Sequence, residues 1–316
     1  MFIALITRIR KAFDKLKKLT IEIIMNPEAA HFNFKNSLSV VIPSLGGSCL
    51  NKTIESLNSG NFIPDEILVS LPSKEHIDKI KLKENNVKLI NANCYGQVSQ
   101  RVFGFKRAKH PFVLQLDDDV IIDKECISLL IDCVKNSDNI VASPYYLDFE
   151  NNPIHKAGPA TLLMNFFHLL MNGINGFQTG KIAISGINYG VNKADINQQH
   201  GNFFVDWQPG GCLMHNNKNL IKENYFPFTG KAYSEDLIHS FLLKNNNLKL
   251  VTCLDAYCYI EKDIEPHTIK DIIKDFKARK HFVEMASLGK TRMYVFYWFV
   301  FLKFIYYKAR LIARSA

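Results

Sequence analysis

Between residues 38 and 119, short apolar, β-branched runs alternate with helical segments, and this alternation leaves the chain very few folds. LSVVIPS, from Leu38, ends in Pro43 and a Gly46-Gly47 turn and reads as a buried strand. A helix follows near residues 49–58, then EILVSLP as a second strand, a charged helix through 74–84, VKLINA as a third strand, a helix near 97–108, and PFVLQLDDD as a fourth. Alternation at this pitch predicts parallel βαβ units: a Rossmann-like, mainly parallel α/β sheet flanked by helices. With 316 residues, 47% of them hydrophobic, the chain can bury a full-sized core, and disorder is not the default reading.

The second half is less regular. TLLMNFFHLLM (161–171) and SEDLIHSFLLKNNN read as helices, with a Gly-rich stretch and WQPGGCLMH between them. Both ends of the chain are amphipathic and basic. Phe2, Leu5, Ile6, Ile9, Phe13 and Leu16 recur at helical spacing among Arg8, Arg10, Lys11, Lys15, Lys17 and Lys18. At the other end, Met293 to Tyr307 is aromatic and apolar, flanked by Arg292, Lys308, Arg310 and Arg314. A membrane span needs roughly 20 apolar residues, so this run suits a helix lying in a membrane interface.

The net charge of +9 favours anionic partners such as nucleotide diphosphates and acidic lipid. Nucleic acid is not expected, because the basic residues gather at the two ends and no nucleic-acid-binding motif occurs. The seven cysteines are scattered, without Cys-x-x-Cys spacing, and the N-terminus lacks the order of a secretory signal. The expectation is a cytoplasmic protein, peripheral on the inner face of the cell membrane.

Asp117, Asp118 and Asp119 directly follow the fourth strand, at the carboxyl end where open α/β sheets place ligands. Three adjacent carboxylates repel one another. Mg²⁺ or Mn²⁺ would offset that repulsion, being a hard cation that bridges carboxylate to diphosphate; an acidic turn or helix cap is the plainer alternative. Glu235 and Asp236 open a helical pattern, where the helix dipole alone could explain them. In Trp207-Gln208-Pro209-Gly210-Gly211, the paired glycines permit close backbone approach to an acceptor, and Trp207 offers a flat face to a sugar ring. On the helix before the acidic strand, Arg101 could grip a diphosphate.

Taken in order, these features resemble the family 2 glycosyltransferases of the GT-A fold, over roughly residues 37–258. VVIPS is similar to that family's first strand, which places Pro43 and Ser44 near the nucleotide. Arg101-Val102-Phe103-Gly104 resembles its Arg-Asn-x-Gly motif. LQLDDD resembles its strand ending in Asp-x-Asp, implying donor contacts from Asp117 and Asp118, and metal ligation by Asp119 with Asp117. The resemblance further implies an acceptor loop at Gly210 and Gly211, with Asp236 as general base supported by Glu235. A His common in the family is replaced here by Tyr257-Cys258-Tyr259-Ile260-Glu261, so Glu261 and His267 are alternatives for completing the metal site. The second strand ends Val69-Ser70-Leu71 where an Asp is usual, leaving uridine as the default base.

The implied organisation is a helix over 1–35, a GT-A catalytic domain over 36–262 and C-terminal helices over 263–316. The catalytic domain divides into a nucleotide-sugar half (36–120) and an acceptor half (121–262). The implied reaction is an inverting transfer from a nucleotide diphosphate-sugar to a hydroxyl of a glycan or lipid-linked acceptor, in bacterial surface polysaccharide synthesis. Two other readings compete. A sugar-nucleotidyltransferase would call for an Arg in the LGGSCLNK loop, which has none. A non-catalytic, membrane-associated binding protein could keep the fold alone.

Overall fold

The structure, a computed structural model, describes residues 36–82, 84–261 and 268–315, with side chains placed as far as residue 310. The helix expected over the first 20 residues, and the segment 1–35 that holds it, lie outside the described residues. Three strands, β1 (Leu38–Pro43), β2 (Glu66–Leu71) and β4 (Phe112–Leu116), are buried at every position, which explains why the sequence shows unbroken apolar runs there. The remaining strands are β3 (Val87–Asn91), β5 (Ile121–Ile122), β6 (Ile140–Leu147), β7 (Asn202–Val205), β8 (Cys212–Asn216) and β9 (Lys249–Tyr259). They form one sheet in the order β3-β2-β1-β4-β8-β6-β9-β5, with β7 also pairing β9.

Two features of this order build the site. First, β1 lies between β2 and β4, all parallel, so the chain leaves β1 towards one side and returns on the other. That reversal opens a crevice beyond the carboxyl ends of β1 and β4. Second, β8 runs antiparallel to β4 with Cys212 opposite Leu116, so the residues before Cys212 arrive where those after Leu116 leave.

The helices are α1 (Cys49–Asn58), α2 (Lys74–Ile77), α3 (Gln97–Phe105), α4 (Cys126–Val134), α5 (Leu162–Asn172), α6 (Glu235–Asn245), α7 (Ile269–Met285) and α8 (Lys290–Ser315). The charged helix expected over 74–84 is only the single turn α2. Ile77, Ile80 and Leu82 all pack on the core, and a spacing of three then two cannot be met on one helix face. One core fills the face of the sheet covered by α1 and α4. A second joins α3 and α6 to α7 and the first turns of α8, through Val102, Ile238, Phe282, Met293 and Tyr297.

Helix α3 sits against β1 at a glycine. A Cβ on Gly104 would lie 2.4 Å from Val41 Cγ1. Arg101, one turn earlier on the same side, is carried to the carboxyl end of β4 by that approach. Gly104→Ala therefore overpacks the contact and should cost about 1–3 kcal/mol of stability, read from urea denaturation; an unchanged midpoint would mean that the helix can retreat freely.

Candidate active site

The three consecutive aspartates fan apart, each towards a different surrounding. Asp117 Oδ1 accepts from Gln97 Nε2 at 2.9 Å and from Arg101 at 3.1 Å. Asp118 accepts from the Ser44 hydroxyl, while Thr53 Oγ1 donates to the Asp118 carbonyl at 2.9 Å. Asp119 is exposed and makes no hydrogen bond or ion pair to the described residues. Burial raises Asp117 to about 6 against the pull of Arg101, and raises Asp118 against its hydrogen bond from Ser44. Positive charge arriving beside Asp117 would therefore be favoured.

Antiparallel β8 delivers the glycine pair to the same place. The Asp117 N–H donates to the Gly211 carbonyl at 2.8 Å. A Cβ on Gly210 would stand 2.6 Å from Asp236 Oδ1 and 3.1 Å from Glu235 Oε2. Helix α6 aims its first turn at this loop from a strained start: Ser234 has φ +54°, a left-handed conformation costly for a residue with a side chain. Its hydroxyl donates to Asp275 Oδ1 of α7 at 2.7 Å, and the Tyr297 hydroxyl of α8 donates to the other oxygen at 2.6 Å.

Arg101 joins the two carboxylate groups. Its side chain is 1% exposed, and its terminal nitrogens bind Asp117 at 3.1 Å and Glu235 at 2.9 Å. Burial opposes the guanidinium charge, but Glu235 and Asp117 outweigh it and raise its pKa. Burial likewise pushes Glu235 up, and Arg101 more than offsets that, holding it below the ordinary range. Burial, with Glu235 and Asp117 beside it, raises the Asp236 carboxyl well above the usual range. Arg101 and a hydrogen bond from the Gly210 backbone also draw it down, but less strongly than it is pushed up.

Two expectations change. Arg101 is buried with its terminal nitrogens taken by Glu235, which is buried, and by Asp117, which is partly exposed, so its fork faces carboxylates rather than open space for a diphosphate. Trp207 presents no face to a sugar: it is buried, its indole N–H donates to the Tyr189 carbonyl at 2.8 Å, and His155 packs edge-on against it. It supports the glycine loop from beneath. Pro43 is buried at the end of β1, while Ser44 reaches Asp118. Glu261 lies exposed beyond β9, and His267 is outside the described residues.

Other members of the cluster escaped the sequence reading. The Tyr225 hydroxyl donates to Glu235, and its ring stacks on His239 at 5.3 Å. His239, one turn after Glu235, is held neutral by burial at about 4. Gln115 donates to the Gly210 carbonyl from β4.

Among the described residues no group of three or more His, Cys, Asp or Glu is arranged as a metal cage. The donor set still fits a hard cation that draws most of its oxygens from water and a ligand's phosphates, as Mg²⁺ does. It offers one exposed, unpaired carboxylate at Asp119 beside a partly exposed one at Asp117.

Residues 39–184, just under half of the chain, match the model of Glycosyl transferase family 2. That stretch carries Ser44, Arg101 and the aspartates; Gly210, Gly211, Glu235 and Asp236 lie beyond it and join the site by geometry. GalNAc-T7, solved with UDP, GalNAc and Mn²⁺, is similar in structure, with a TM-score of 0.53 and 16% identity over 74% of this chain and 45% of that one. S. aureus TarS gives a TM-score of 0.44 and 15% identity, over 81% of this chain and 41% of that one. This chain thus spans less than half the length of either, and the first likeness is one of fold. No curated protein matches the sequence.

If Arg101 holds the site together, Arg101→Met strands Glu235 in the interior. Stability should fall by about 3–5 kcal/mol in chemical denaturation. A loss under 1 kcal/mol would show that the two carboxylates rearrange without it.

Proposed function

We propose that this protein transfers a sugar from a nucleotide diphosphate-sugar, by default a UDP-sugar, to a hydroxyl of a glycan or lipid-linked acceptor, with inversion at the anomeric carbon. The observation that carries this reading is the meeting of Asp236 and the aspartate triplet across Gly210 and Gly211. The donor diphosphate would lie in the crevice beyond β1 and β4, between Ser44 and Asp117–Asp119. Mg²⁺ or Mn²⁺ held by Asp119 and Asp117 would supply positive charge to the leaving diphosphate. Asp236 takes the proton of the acceptor hydroxyl, a task for which a carboxyl held above its ordinary range is suited. Glu235, locked by Arg101 and Tyr225, keeps the start of α6 in place. The glycine pair leaves room for the acceptor beside Asp236.

The setting we propose is the cytoplasmic face of a bacterial cell membrane, in surface polysaccharide synthesis. The terminal amphipathic segments and the net charge of +9 support it.

Asp236→Asn should lower turnover by roughly 10²- to 10⁴-fold while leaving nucleotide binding intact. Because Asp236 must lose its proton to act and its pKa is raised, wild-type turnover should climb with pH through a midpoint above the ordinary carboxylate range; a flat profile, or full turnover in the variant, would assign the base elsewhere. In thermal melts with UDP, Mn²⁺ should add a stabilising shift that Asp119→Ala abolishes. Absence of any nucleotide shift in the wild type would favour the non-catalytic reading.

A further inference from the structure

Helix α5, LLMNFFHLLMN, contains no charged residue, and such a helix normally turns its apolar side inward. Here only Met171 and Asn172 are buried. Leu162 is 88% exposed, Leu163 78% and Phe166 63%, and Ile174, just past the helix, is 98% exposed. The helix is fixed in this pose. Thr161 caps its start, accepting from the Met164 N–H at 3.2 Å, and Arg292 of α8 donates to the carbonyls of Leu169 and Leu170 near its end. Phe167 meets Phe299 of α8 edge-on at 5.5 Å.

The apolar surface continues onto α8. Past the buried Met293 and Tyr297, exposed Tyr294, Trp298, Leu302 and Ile305 recur at helical spacing. Exposed Lys303, Lys308 and Arg310 accompany them, and α8 contains no Asp or Glu. An apolar surface of this extent on a soluble unit marks a site of association. Among the described residues no helix is long and apolar enough to cross a membrane.

We infer that α5 and α8 together form one docking surface for an anionic lipid bilayer, both helices lying in the interface. Charge selects this occupant. Aromatic residues beside lysine and arginine suit the headgroup layer of anionic lipid, whereas a second copy would bring the same basic helix against itself. The surface also connects to the glycine loop. His168 of α5 lies 3.2 Å from the Tyr189 hydroxyl, the Tyr189 carbonyl accepts from Trp207, and Trp207 leads through Pro209 to Gly210. On the transferase reading, on which this last step rests, a bilayer seated there presents a lipid-anchored acceptor to the side of the site where Asp236 stands.

The test is co-sedimentation of the full chain with phosphatidylcholine vesicles, with and without phosphatidylglycerol, accompanied by the UDP and Mn²⁺ melts. Wild type should sediment with the anionic vesicles. Leu163→Glu/Phe166→Glu should weaken that by roughly tenfold or more, and Lys303→Glu/Lys308→Glu should remove the preference for phosphatidylglycerol, with the nucleotide shift retained in both as proof of folding. Undiminished binding by the α5 variant, no binding by wild type, or a wild-type dimer that the α5 variant dissolves would each overturn the proposal. Vesicle binding as expected with no nucleotide shift in any protein would keep the docking surface and remove the transferase.

Discussion

The site depends on a single buried cation. Arg101 lies between Asp117, at the end of a parallel strand, and Glu235, at the start of a helix more than a hundred residues later. Withdrawing a guanidinium and two carboxylates from water is expensive, and their mutual attraction repays it only when the geometry is good. Here the geometry comes from rigid parts: Gly104 sets how closely α3 meets β1, and β8 sets where the chain returns. Arg101 therefore acts as a structural bridge that keeps two chemical halves at one spacing.

That bridge also divides the carboxylates by role. Glu235 is held ionised by its partners, whereas for Asp236, next in sequence, burial and its like-charged neighbours outweigh Arg101 and the Gly210 backbone. Adjacent residues of the same chemistry thus end with pKa values pushed in opposite directions. Two neighbouring carboxyls whose surroundings push their pKa values apart are suited to different tasks.

The nucleotide-side half was legible in the sequence because buried parallel strands leave continuous apolar runs, and the aspartate triplet ends one of them. What lay in the acceptor half was less so. Glycines at 210 and 211 announced a close approach, but nothing in the sequence says that their strand runs antiparallel beside β4. Trp207 was misread because indole serves equally as a sugar platform and as a buried prop, and only its hydrogen bond to Tyr189 decides. Arg101 looked like a phosphate ligand for a similar reason: a guanidinium fits carboxylate and phosphate alike. His239 had a signal, one helical turn from Glu235. Tyr225 had none, since it comes from an irregular segment without periodicity.

One carboxylate reaches across these parts. Asp275 takes a hydrogen bond from Ser234, the strained residue before Glu235, and another from Tyr297 of α8. The left-handed turn that aims Asp236 is thus held from the C-terminal side, outside the sheet and outside every motif of the nucleotide half. A chain ending before α7 would retain all the residues that resemble a transferase and lose the tether on the turn before Glu235 and Asp236. The unit that holds this cluster together is therefore larger than the recognisable one, and its last helices belong to the cluster's frame.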